Sequence, residues 1–375
     1  MKVAIVSPWA VSSTAVGGTE RFIVDLAESL HTSGHTVDVY MFDGKDHVSA
    51  GVHYIPLHLI GDIEVNEYTL ETHLGDFSQL ETYDVLAEKI SSLFDVSAYD
   101  VLHINTQLLL RAWPQKRRIF TIHTNPFEYK QAWGESSYET MIQIAREEAS
   151  NTTVYTAPSQ HYAQHFSNEL RTSVHFIPHA IDPQRVQPLK VRDVLLDEYG
   201  LDATKLHILL PSRLEPVQKQ PWLLFDALQY LPSSLLKRLE ILSSGVDSQY
   251  EVYKKTYEKQ AQALGCSVHF GRYTFMSDAY AMTDVVVLPS QSESFGYAAL
   301  ESLTLGIPTI MNDIPTFKEI AIGNEAAYFF RADAKELAGI LERLLSDPRR
   351  KVPNKAWIHR YALQSWVAEY EELFV

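Results

Sequence analysis

Hydrophobic and polar positions along the 375-residue chain alternate between two patterns. Short apolar runs rich in Val, Ile and Leu are followed by longer segments with apolar residues at helical spacing, which is typical of α/β units with parallel strands. The first half is predicted to contain seven strands: Val3–Pro8, Thr36–Phe42, His53–Ile60, Val101–Asn105, Arg118–Thr124, Thr153–Pro158 and Val174–Ile181. Helices are predicted at Thr19–Ser33 and Tyr138–Ser150, and the aperiodic segment Asp62–Asp76 is predicted to be a surface loop.

A second series of α/β units begins after the polar segment Asp182–Lys205. Its predicted strands are Leu206–Pro211, Leu239–Ser243, Val268–Phe270, Val285–Pro289, Thr309–Met311 and Ala327–Phe330. The final segment, Trp357–Phe374, has apolar residues at helical spacing. Because the chain is also too long for one comfortable core, we predict two α/β domains, 1–182 and 183–356, and a C-terminal helix at 357–375.

The composition is typical of a globular protein, with 46% hydrophobic and 21% charged residues. No apolar run approaches the roughly 20 residues that a membrane span needs. The apolar stretch Val3–Val6 is interrupted by Ser7 and Pro8, so it is too short for the core of a signal peptide. One cysteine, Cys266, excludes an internal disulfide and fits a reducing compartment. We therefore expect a cytoplasmic protein without an integral membrane segment.

The net charge of −15 is unevenly distributed. Residues 1–180 contain 11 Lys and Arg against 22 Asp and Glu, whereas residues 181–375 contain 21 against 25. Nucleic acids and anionic membranes bind clustered cations, so this balance argues against either as the main partner. The acidity of the first half either serves solubility alone or suits a neutral or cationic acceptor.

The most informative segment is Pro289–Pro308, with the sequence PSQSESFGYAALESLTLGIP. An apolar strand leads into a polar loop, and a helix is predicted to begin near Phe295 and Gly296 and to end at Gly306. The free amides at the start of such a helix, together with its dipole, bind phosphate or another anion. Glu293 and Glu301 flank this helix start. They either accept hydrogen bonds from sugar hydroxyls, or cap the helix and lie on a solvated face.

A second segment, HILLPSRLEPVQKQ, places Arg213 and Lys219 after a buried strand. A departing nucleoside diphosphate gains charge as its bond to the sugar breaks, so cations beside the phosphates stabilise it. Arg binds two phosphate oxygens at once and Lys adds a point charge. Isolated residues of these types are more often ordinary surface charges, but the carboxyl end of a parallel strand is where ligands bind in such sheets.

Two further signals lie in the first half of the chain. Gly17 and Gly18 open a helix after the first strand, although they do not form the G-x-G-x-x-G pattern of a dinucleotide-binding dehydrogenase. His123 ends the strand RIFTIHT, where a histidine is more often structural than functional. Each signal is weak when taken alone.

In combination, these segments resemble the retaining glycosyltransferases of family four, which have the GT-B fold. The resemblance covers most of the chain: the glycine pair, TIHT, VHFIPHAID, SRLEPVQK, VHFGRY, ESFGYAALE with its E-x7-E spacing, and the closing QSWVAEYEELF. It implies two Rossmann-like domains facing a central cleft. It also implies that the C-terminal helix at 357–375 crosses back onto the N-terminal domain, which would bind the acceptor.

The resemblance also implies a role for each matching residue. Arg213 and Lys219 would bind the donor diphosphate, Glu301 the nucleotide ribose and Glu293 the hydroxyls of the transferred sugar. His123 would lie near the sugar's hydroxymethyl group, and the catalytic set would be Arg213, Lys219, Glu293 and His123. Donor binding would further involve Gly17, Gly18, Arg272, Tyr273, Ser294, Phe295, Gly296, Tyr297 and Ala298, with Arg272 and Tyr273 near the base.

The chain departs from the family pattern at two loops. The family has glycine before the matching arginine and after the matching lysine, where this chain has Ser212 and Gln220. Its common Asn-Gly pair after "IP" is replaced by His179 and Ala180. These changes alter loop shape more than charge, so they affect the assignment of the substrate more than the reaction class.

The resemblance implies a retaining hexosyltransferase that uses a nucleoside diphosphate sugar, with UDP as the favoured carrier, in glycan or glycoconjugate biosynthesis. No Asp-x-Asp motif is visible, so we expect no metal and no cofactor, the nucleotide-sugar being a substrate. The acceptor is expected to be soluble or presented by a partner protein. Two alternatives remain open: a nucleotide-sugar epimerase or phosphorylase of the same fold, and an inactive partner subunit that binds nucleotide-sugar.

Overall fold

The computed structural model describes residues 1–11, 17–150, 152–244, 250–271, 273, 275–353 and 355–375. The chain divides into two compact units. Unit 1 comprises residues 1–180 and 361–375, and unit 2 comprises residues 181–360. Each unit has its own sheet and hydrophobic core.

Unit 1 is built on an eight-stranded sheet with the order β3-β4-β2-β1-β5-β6-β7-β8. Its strands are β1 (Lys2–Ser7), β2 (Thr36–Met41), β3 (His47–Ser49), β4 (Val52–Pro56), β5 (Val101–Ile104), β6 (Arg117–Thr121), β7 (Thr153–Ala157) and β8 (Val174–Phe176). All neighbouring strands are parallel except the edge pair β3 and β4. The central strands are buried along nearly their whole length, which explains their largely apolar sequences.

Helices pack on this sheet through apolar stripes. They are α1 (Gly18–Thr32), α2 (Glu71–Leu74), α3 (Leu80–Leu93), α4 (Pro126–Trp133), α5 (Glu135–Glu147) and α6 (Gln160–Leu170). In α1, Phe22, Leu26 and Leu30 are fully buried at helical spacing. The predicted surface loop at 62–76 is only partly on the surface, because it buries Val65, Glu67 and Leu70 and contains α2.

Unit 2 has a six-stranded parallel sheet with the order β11-β10-β9-β12-β13-β14. Its strands are β9 (Leu206–Leu210), β10 (Leu239–Ser243), β11 (Ser267–Phe270), β12 (Val285–Leu288), β13 (Thr309–Asn312) and β14 (Ala327–Phe330). Its helices are α7 (Arg192–Glu198), α8 (Trp222–Leu228), α9 (Ser233–Leu236), α10 (Glu251–Ala263), α11 (Met276–Met282), α12 (Tyr297–Thr304), α13 (Pro315–Ala321), α14 (Ala334–Ser346) and α15 (Lys355–Arg360). In chain order this is the 3-2-1-4-5-6 arrangement of the Rossmann fold.

The C-terminal segment is interrupted, so the prediction of one helix over 357–375 is wrong. Helix α15 ends at Arg360 within unit 2, and α16 (Leu363–Glu371) belongs to unit 1. Ala362 between them is extended, with φ −75° and ψ 137°, so the helical backbone cannot continue. A short 3-10 turn, Glu372–Phe374, completes the chain. In unit 1, Trp366 and Tyr370 of α16 pack edge-on against Phe22 of α1.

Within the described part of the chain, none of the helices has the length and apolar character needed to cross a membrane.

Candidate active site

The sheet of unit 2 reverses its strand order between β9 and β12, which are direct neighbours. In parallel α/β sheets the loops after the two strands at such a point diverge and leave a crevice for ligands. Arg213 and Lys219 follow β9, and Glu293 follows β12. The fold therefore brings the loop of Arg213 and Lys219 and the loop of Glu293 to the same point on the sheet.

Lys219 and Glu293 form an ion pair at this point, with Nζ 2.8 Å from Oε1. Ser290 donates a second hydrogen bond of 2.7 Å to the same oxygen. The two side chains of the pair are 14% and 16% exposed, so they are largely shielded but still reachable. Among the described residues, Oε2 of Glu293 accepts no hydrogen bond, and it can accept one from a ligand hydroxyl without breaking the pair.

The loop that carries Lys219 is held by hydrogen bonds within the loop and to the β12 loop. The Glu215 carboxylate accepts from the amides of Val217, Gln218 and Lys219. Gln218 is buried, and its amide side chain donates to the carbonyl of Ser292 at 3.2 Å. These contacts fix the Lys219 backbone relative to the loop of Glu293.

Gln220 stands where the family has glycine, and its backbone conformation shows how the chain accommodates this departure. Its φ of +45° lies in the left-handed region, which glycine adopts freely and other residues adopt at a cost. The backbone thus keeps a conformation suited to the family's glycine. The side chain reaches across to Gln291, with Nε2 donating to Oε1 at 2.9 Å, and adds a link between the two loops.

Arg213 is exposed, and within the described ranges it makes neither an ion pair nor a side-chain hydrogen bond. It lies three residues after β9 and has its whole guanidinium group available for an anionic ligand.

The start of α12 has the features expected of an anion site. Gly296 is the N-cap, and no side chain caps this helix end in the described structure. Its φ of +104° requires glycine, and an added Cβ would lie 2.8 Å from the ring of Phe317. Phe295 is buried, whereas Ser294, Tyr297 and Ala298 are half-buried around the first turn. The first-turn amides and the helix dipole favour a negative ligand here.

Glu301 lies one turn further along α12 and is buried, so the sequence alternative of a solvated face is wrong. The phenol of Tyr280 donates a 2.7 Å hydrogen bond to its Oε2. Tyr280 belongs to α11, and it was not singled out from the sequence because nothing in its local pattern distinguishes it from a core tyrosine. A buried carboxylate held by a tyrosine is well suited to bind a pair of ligand hydroxyls.

Tyr273 lies after the edge strand β11, and its ring is 5.4 Å from that of Tyr199. Burial raises the pKa of the Tyr273 phenol. Both rings line a cavity of about 350 Å³ beside β11, together with Lys254, His269 and others. The other residue predicted to lie near the base, Arg272, is outside the described residues.

Unit 1 has a corresponding reversal of strand order between β1 and β5. Gly17 is the N-cap of α1, and Gly18 is its first residue. A Cβ added at Gly17 would overlap the Glu20 carboxylate, which folds back over the helix start. Burial raises the pKa of Glu20. Sequence reasoning missed this carboxylate, although a glutamate three residues after an N-cap is a known capping arrangement.

His123 follows β6 at the same edge of the unit 1 sheet. Its Nε2 is 2.9 Å from Oδ1 of Asn105, and its ring packs edge-on against Phe22 with centroids 4.7 Å apart. Burial lowers the pKa of His123 to about 3, so the imidazole is neutral at physiological pH. The imidazole is neutral, and one of its nitrogens is bound to Asn105. The other nitrogen can form a hydrogen bond with a ligand hydroxyl.

The rings of two other histidines also pack against Phe22. His179, which replaces the family's asparagine, is buried with its ring 4.6 Å from Phe22 and 5.5 Å from His123. His103 is buried in β5 and makes a 2.7 Å hydrogen bond with Thr121. Burial lowers the pKa of His103 to about 3 and that of His179 well below the usual value. The departure at His179 therefore completes a neutral histidine cluster behind His123.

In the described ranges, no group of three His, Cys, Asp or Glu side chains is arranged to hold a metal ion. The cations and the helix start of unit 2 can bind a diphosphate, and the carboxylates Glu293 and Glu301 can bind hydroxyls on either side of it. This combination suits a nucleoside diphosphate joined to a sugar.

Two family models match consecutive parts of the chain. Residues 16–185 match the model described as Glycosyltransferase Family 4. Residues 191–359 match the model described as Glycosyl transferases group 1.

Curated relatives include D-inositol 3-phosphate glycosyltransferase from Thermomonospora curvata, which is 23% identical over 95% of this chain and 89% of its own length. Mannosylfructose-phosphate synthase from Agrobacterium fabrum is 24% identical over 86% of this chain and 77% of its own length. The D-inositol 3-phosphate glycosyltransferase from Rhodococcus erythropolis is 28% identical, but the match covers 46% of this chain and 40% of that protein.

Solved structures with a similar fold include sucrose-phosphate synthase from Thermosynechococcus elongatus, with a TM-score of 0.78 and 20% identity over 100% of this chain and 98% of that one. HepE from Anabaena, in complex with UDP and glucose, has a TM-score of 0.73 and 18% identity over 99% and 98% of the two chains. These similarities confirm the prediction of the GT-B fold.

Proposed function

Because the chain belongs to the family-four glycosyltransferases, we propose that it transfers a hexose-type sugar from a nucleoside diphosphate sugar to an acceptor hydroxyl with retention of configuration. UDP is the favoured carrier. HepE, one of the structural neighbours, was solved with UDP and glucose, which is consistent with this choice. The reaction would serve the biosynthesis of a glycan or glycoconjugate.

One observation carries this proposal: the contact between Lys219 and Glu293 beside the start of α12. A cation for the diphosphate and a carboxylate for sugar hydroxyls would both be needed within a few ångströms of the bond that breaks. Arg213, on the same loop as Lys219, supplies a second cation. A silent partner is less well supported, because all four charged residues of the motif set are present. Turnover of the nucleotide-sugar without an acceptor would identify an epimerase instead.

In the proposed reaction, the bond between the anomeric carbon and the diphosphate oxygen breaks while the acceptor oxygen bonds to the same face of that carbon. Arg213, Lys219 and the α12 amides stabilise the charge that develops on the leaving diphosphate. The acceptor hydroxyl gives its proton to the leaving diphosphate. Retention then needs no enzymatic nucleophile.

The remaining residues would orient the donor. Glu301, fixed by Tyr280, would accept hydrogen bonds from the ribose hydroxyls. His123, neutral and bound to Asn105, would contact the sugar's hydroxymethyl group. We propose that no metal and no cofactor is required, since the two cations and the helix start would compensate the charge of the diphosphate. EDTA would then leave transfer unchanged. Loss of activity restored by Mg²⁺ or Mn²⁺ would reveal a missed ligand set.

The decisive experiment combines a donor screen with two charge deletions. A thermal-shift screen of nucleoside diphosphates identifies the base, because a ligand that binds only the folded chain raises its melting temperature. Arg213→Ala and Lys219→Ala should then lower turnover by about 100-fold or more. Lys237→Ala, which removes an exposed lysine elsewhere in unit 2, is the matched control. Near-normal turnover in either test variant would remove the basis of the proposal.

A further inference from the structure

Three aromatic side chains form a continuous cluster at the surface of unit 1, which we call the aromatic platform: Trp9, Tyr68 and Trp133. The rings of Tyr68 and Trp133 are stacked, with centroids 5.0 Å apart and planes 24° apart. Trp9 meets Tyr68 edge-on at 5.2 Å. Tyr68 is 55% exposed, and both tryptophans are partly exposed. Apolar ring surface exposed to water is unfavourable, and a cluster of exposed rings is therefore typical of a surface that binds a ligand.

The platform lies at the ligand edge of the unit 1 sheet. Trp9 follows β1, and Tyr68 follows Glu67, whose Oε1 accepts a 2.7 Å hydrogen bond from Thr106. Thr106 is adjacent in the chain to Asn105, which binds His123. One covalent and hydrogen-bonded path thus runs from the exposed Tyr68 ring to the proposed catalytic histidine.

The platform is rigidly supported from below. Trp133 packs against buried Tyr129, with ring centroids 4.6 Å apart, and the hydroxyl of Tyr129 lies 3.3 Å from that of Tyr83. Glu67 is buried, which anchors the segment that carries Tyr68. A surface held in place in this way loses little conformational entropy when it binds a ligand.

Few cations lie in the segments around the platform, and the exposed one beside Trp9 is Lys45, which follows Gly44 next to Ala10. Residues 3–19, 46–88, 101–110 and 119–129 contain no Lys or Arg, and the second of these segments contains nine Asp and Glu. The nearest lysine along α4, Lys130, is paired with Glu135 at 2.7 Å. Phosphate and carboxylate groups are bound by Arg and Lys, so an anionic acceptor is disfavoured here.

We infer that the acceptor is an uncharged carbohydrate, one of whose pyranose rings packs on the exposed part of Tyr68 in the aromatic platform. A sugar ring presents apolar C–H groups on one face, which pack on an aromatic ring, and hydroxyls around its edge. The acidic and amide groups of this sheet edge accept hydrogen bonds from such hydroxyls. This inference rests on the proposed function and specifies its acceptor class.

A preference for an uncharged acceptor would distinguish this chain from several relatives whose names include a phosphate. The relatives described above include enzymes named for inositol phosphate and for sugar phosphate products. An acceptor phosphate would meet few cations beside the platform, so the inference predicts a preference for the unphosphorylated sugar. The preference should be seen in KM rather than only in kcat, because the scarcity of cations would affect binding of the acceptor.

The test compares Tyr68→Ala with Tyr68→Phe in the full-length protein, using the donor found in the nucleotide screen. The acceptor panel contains neutral mono- and oligosaccharides and phosphorylated counterparts. Tyr68→Ala should raise the KM for the neutral acceptor roughly three- to tenfold, the equivalent of one aromatic contact, and Tyr68→Phe should leave it near the wild-type value. Tyr230→Ala, which removes an equally exposed tyrosine in unit 2, is the control.

The outcomes separate this inference from the proposed function. If no nucleoside diphosphate or its sugar conjugate binds, the proposed function itself fails. If the donor is bound and used but only phosphorylated or lipid acceptors are glycosylated, the function stands and the inference is overturned. Equal KM values for the neutral acceptor in Tyr68→Ala and wild type would also overturn it, as would failure of every neutral sugar to react. Calorimetry with the free diphosphate should show unchanged binding in Tyr68→Ala.

Discussion

Tyr280 donates a hydrogen bond of 2.7 Å from its hydroxyl to Oε2 of Glu301, and both side chains are buried. The donor fixes the direction in which the carboxylate presents its remaining lone pairs. Tyr280→Phe removes this donor while keeping the ring that fills the space. We expect binding of the free nucleoside diphosphate to weaken by roughly tenfold or more, the equivalent of one hydrogen bond to a charged group.

Calorimetry with the free diphosphate measures this effect directly. Tyr257→Phe is the matched control, because Tyr257 is also buried in unit 2 and its hydroxyl makes no hydrogen bond within the described residues. Unchanged affinity in Tyr280→Phe would show that Glu301 does not contact the nucleotide.

The two glutamates should respond differently to amide substitution. Glu301→Gln should weaken binding of the free diphosphate, because the ribose is part of that ligand. Glu293→Gln removes the charge that pairs with Lys219, so the diphosphate should bind at least as well as in the wild type. Transfer should fall in Glu293→Gln, since the transferred sugar loses its charged acceptor of hydrogen bonds. Equal losses of diphosphate affinity in both variants would contradict these assignments.

The strands of both sheets could be predicted from the sequence because most of them are buried on both faces. Strand β12 reads as an unbroken apolar run and β9 as an apolar run interrupted only by His207, and every predicted strand overlaps an observed one. The loops of the candidate site could be predicted to follow β9 and β12, since ligand-binding loops follow parallel strands at their carboxyl ends. The three-residue strand β3 was missed because its sequence, HVS, has no pattern and depends on pairing with β4.

Other features depend on contacts that the sequence does not encode locally. The apolar spacing of 357–374 continues through Ala362, whose extended backbone ends α15 and lets α16 begin. Tyr280 acts through its contact with Glu301, and its local sequence contains no recognisable motif. The packing of His103, His123 and His179 on one phenylalanine joins three strands or loops that are far apart in the chain.

The histidine cluster predicts that acid destabilises the fold. Burial lowers the pKa of His103 and His123 to about 3 and that of His179 well below its usual value. The folded chain therefore favours neutral imidazoles. Their contribution to the free energy of unfolding is complete above the unfolded pKa near 6.5 and is lost as the pH falls below that value. One pH unit below that value costs roughly 1 kcal/mol for each histidine. Urea unfolding at pH 7.5 and 5.5 measures the change.

His179→Asn should reduce this loss of unfolding free energy by about one histidine's share, roughly 1 kcal/mol. His73→Asn, at an exposed position, should leave it unchanged. The comparison between variants carries the test, because Glu67 acts in the opposite direction: burial raises its pKa to about 7, and its contribution is lost as the pH rises. Identical pH dependence in wild type and His179→Asn would contradict the neutral cluster.

The last prediction concerns anionic membranes and depends on one basic sequence, Lys116-Arg117-Arg118. All three side chains donate hydrogen bonds to backbone carbonyls of unit 1. Lys116 donates to the carbonyl of Tyr99, Arg117 donates to the carbonyl of Leu373, and Arg118 is fully buried, where it donates to the carbonyls of Leu110 and Ala112. The cluster is therefore not a surface patch for lipid headgroups.

The helices of unit 1 offer no replacement, because docking on anionic lipid needs several Lys or Arg beside an apolar stripe. Helices α1 and α5 contain one arginine each and no lysine, and residues 1–180 carry twice as many acidic as basic residues. We expect the isolated protein to remain in the supernatant with anionic liposomes at about 0.1 M salt, where the weak repulsion is screened beyond about 10 Å. Uncharged liposomes are the control and should give the same result. Strong co-sedimentation with anionic liposomes that disappears at high salt would contradict this prediction, and would mean that a local basic patch outweighs the net charge.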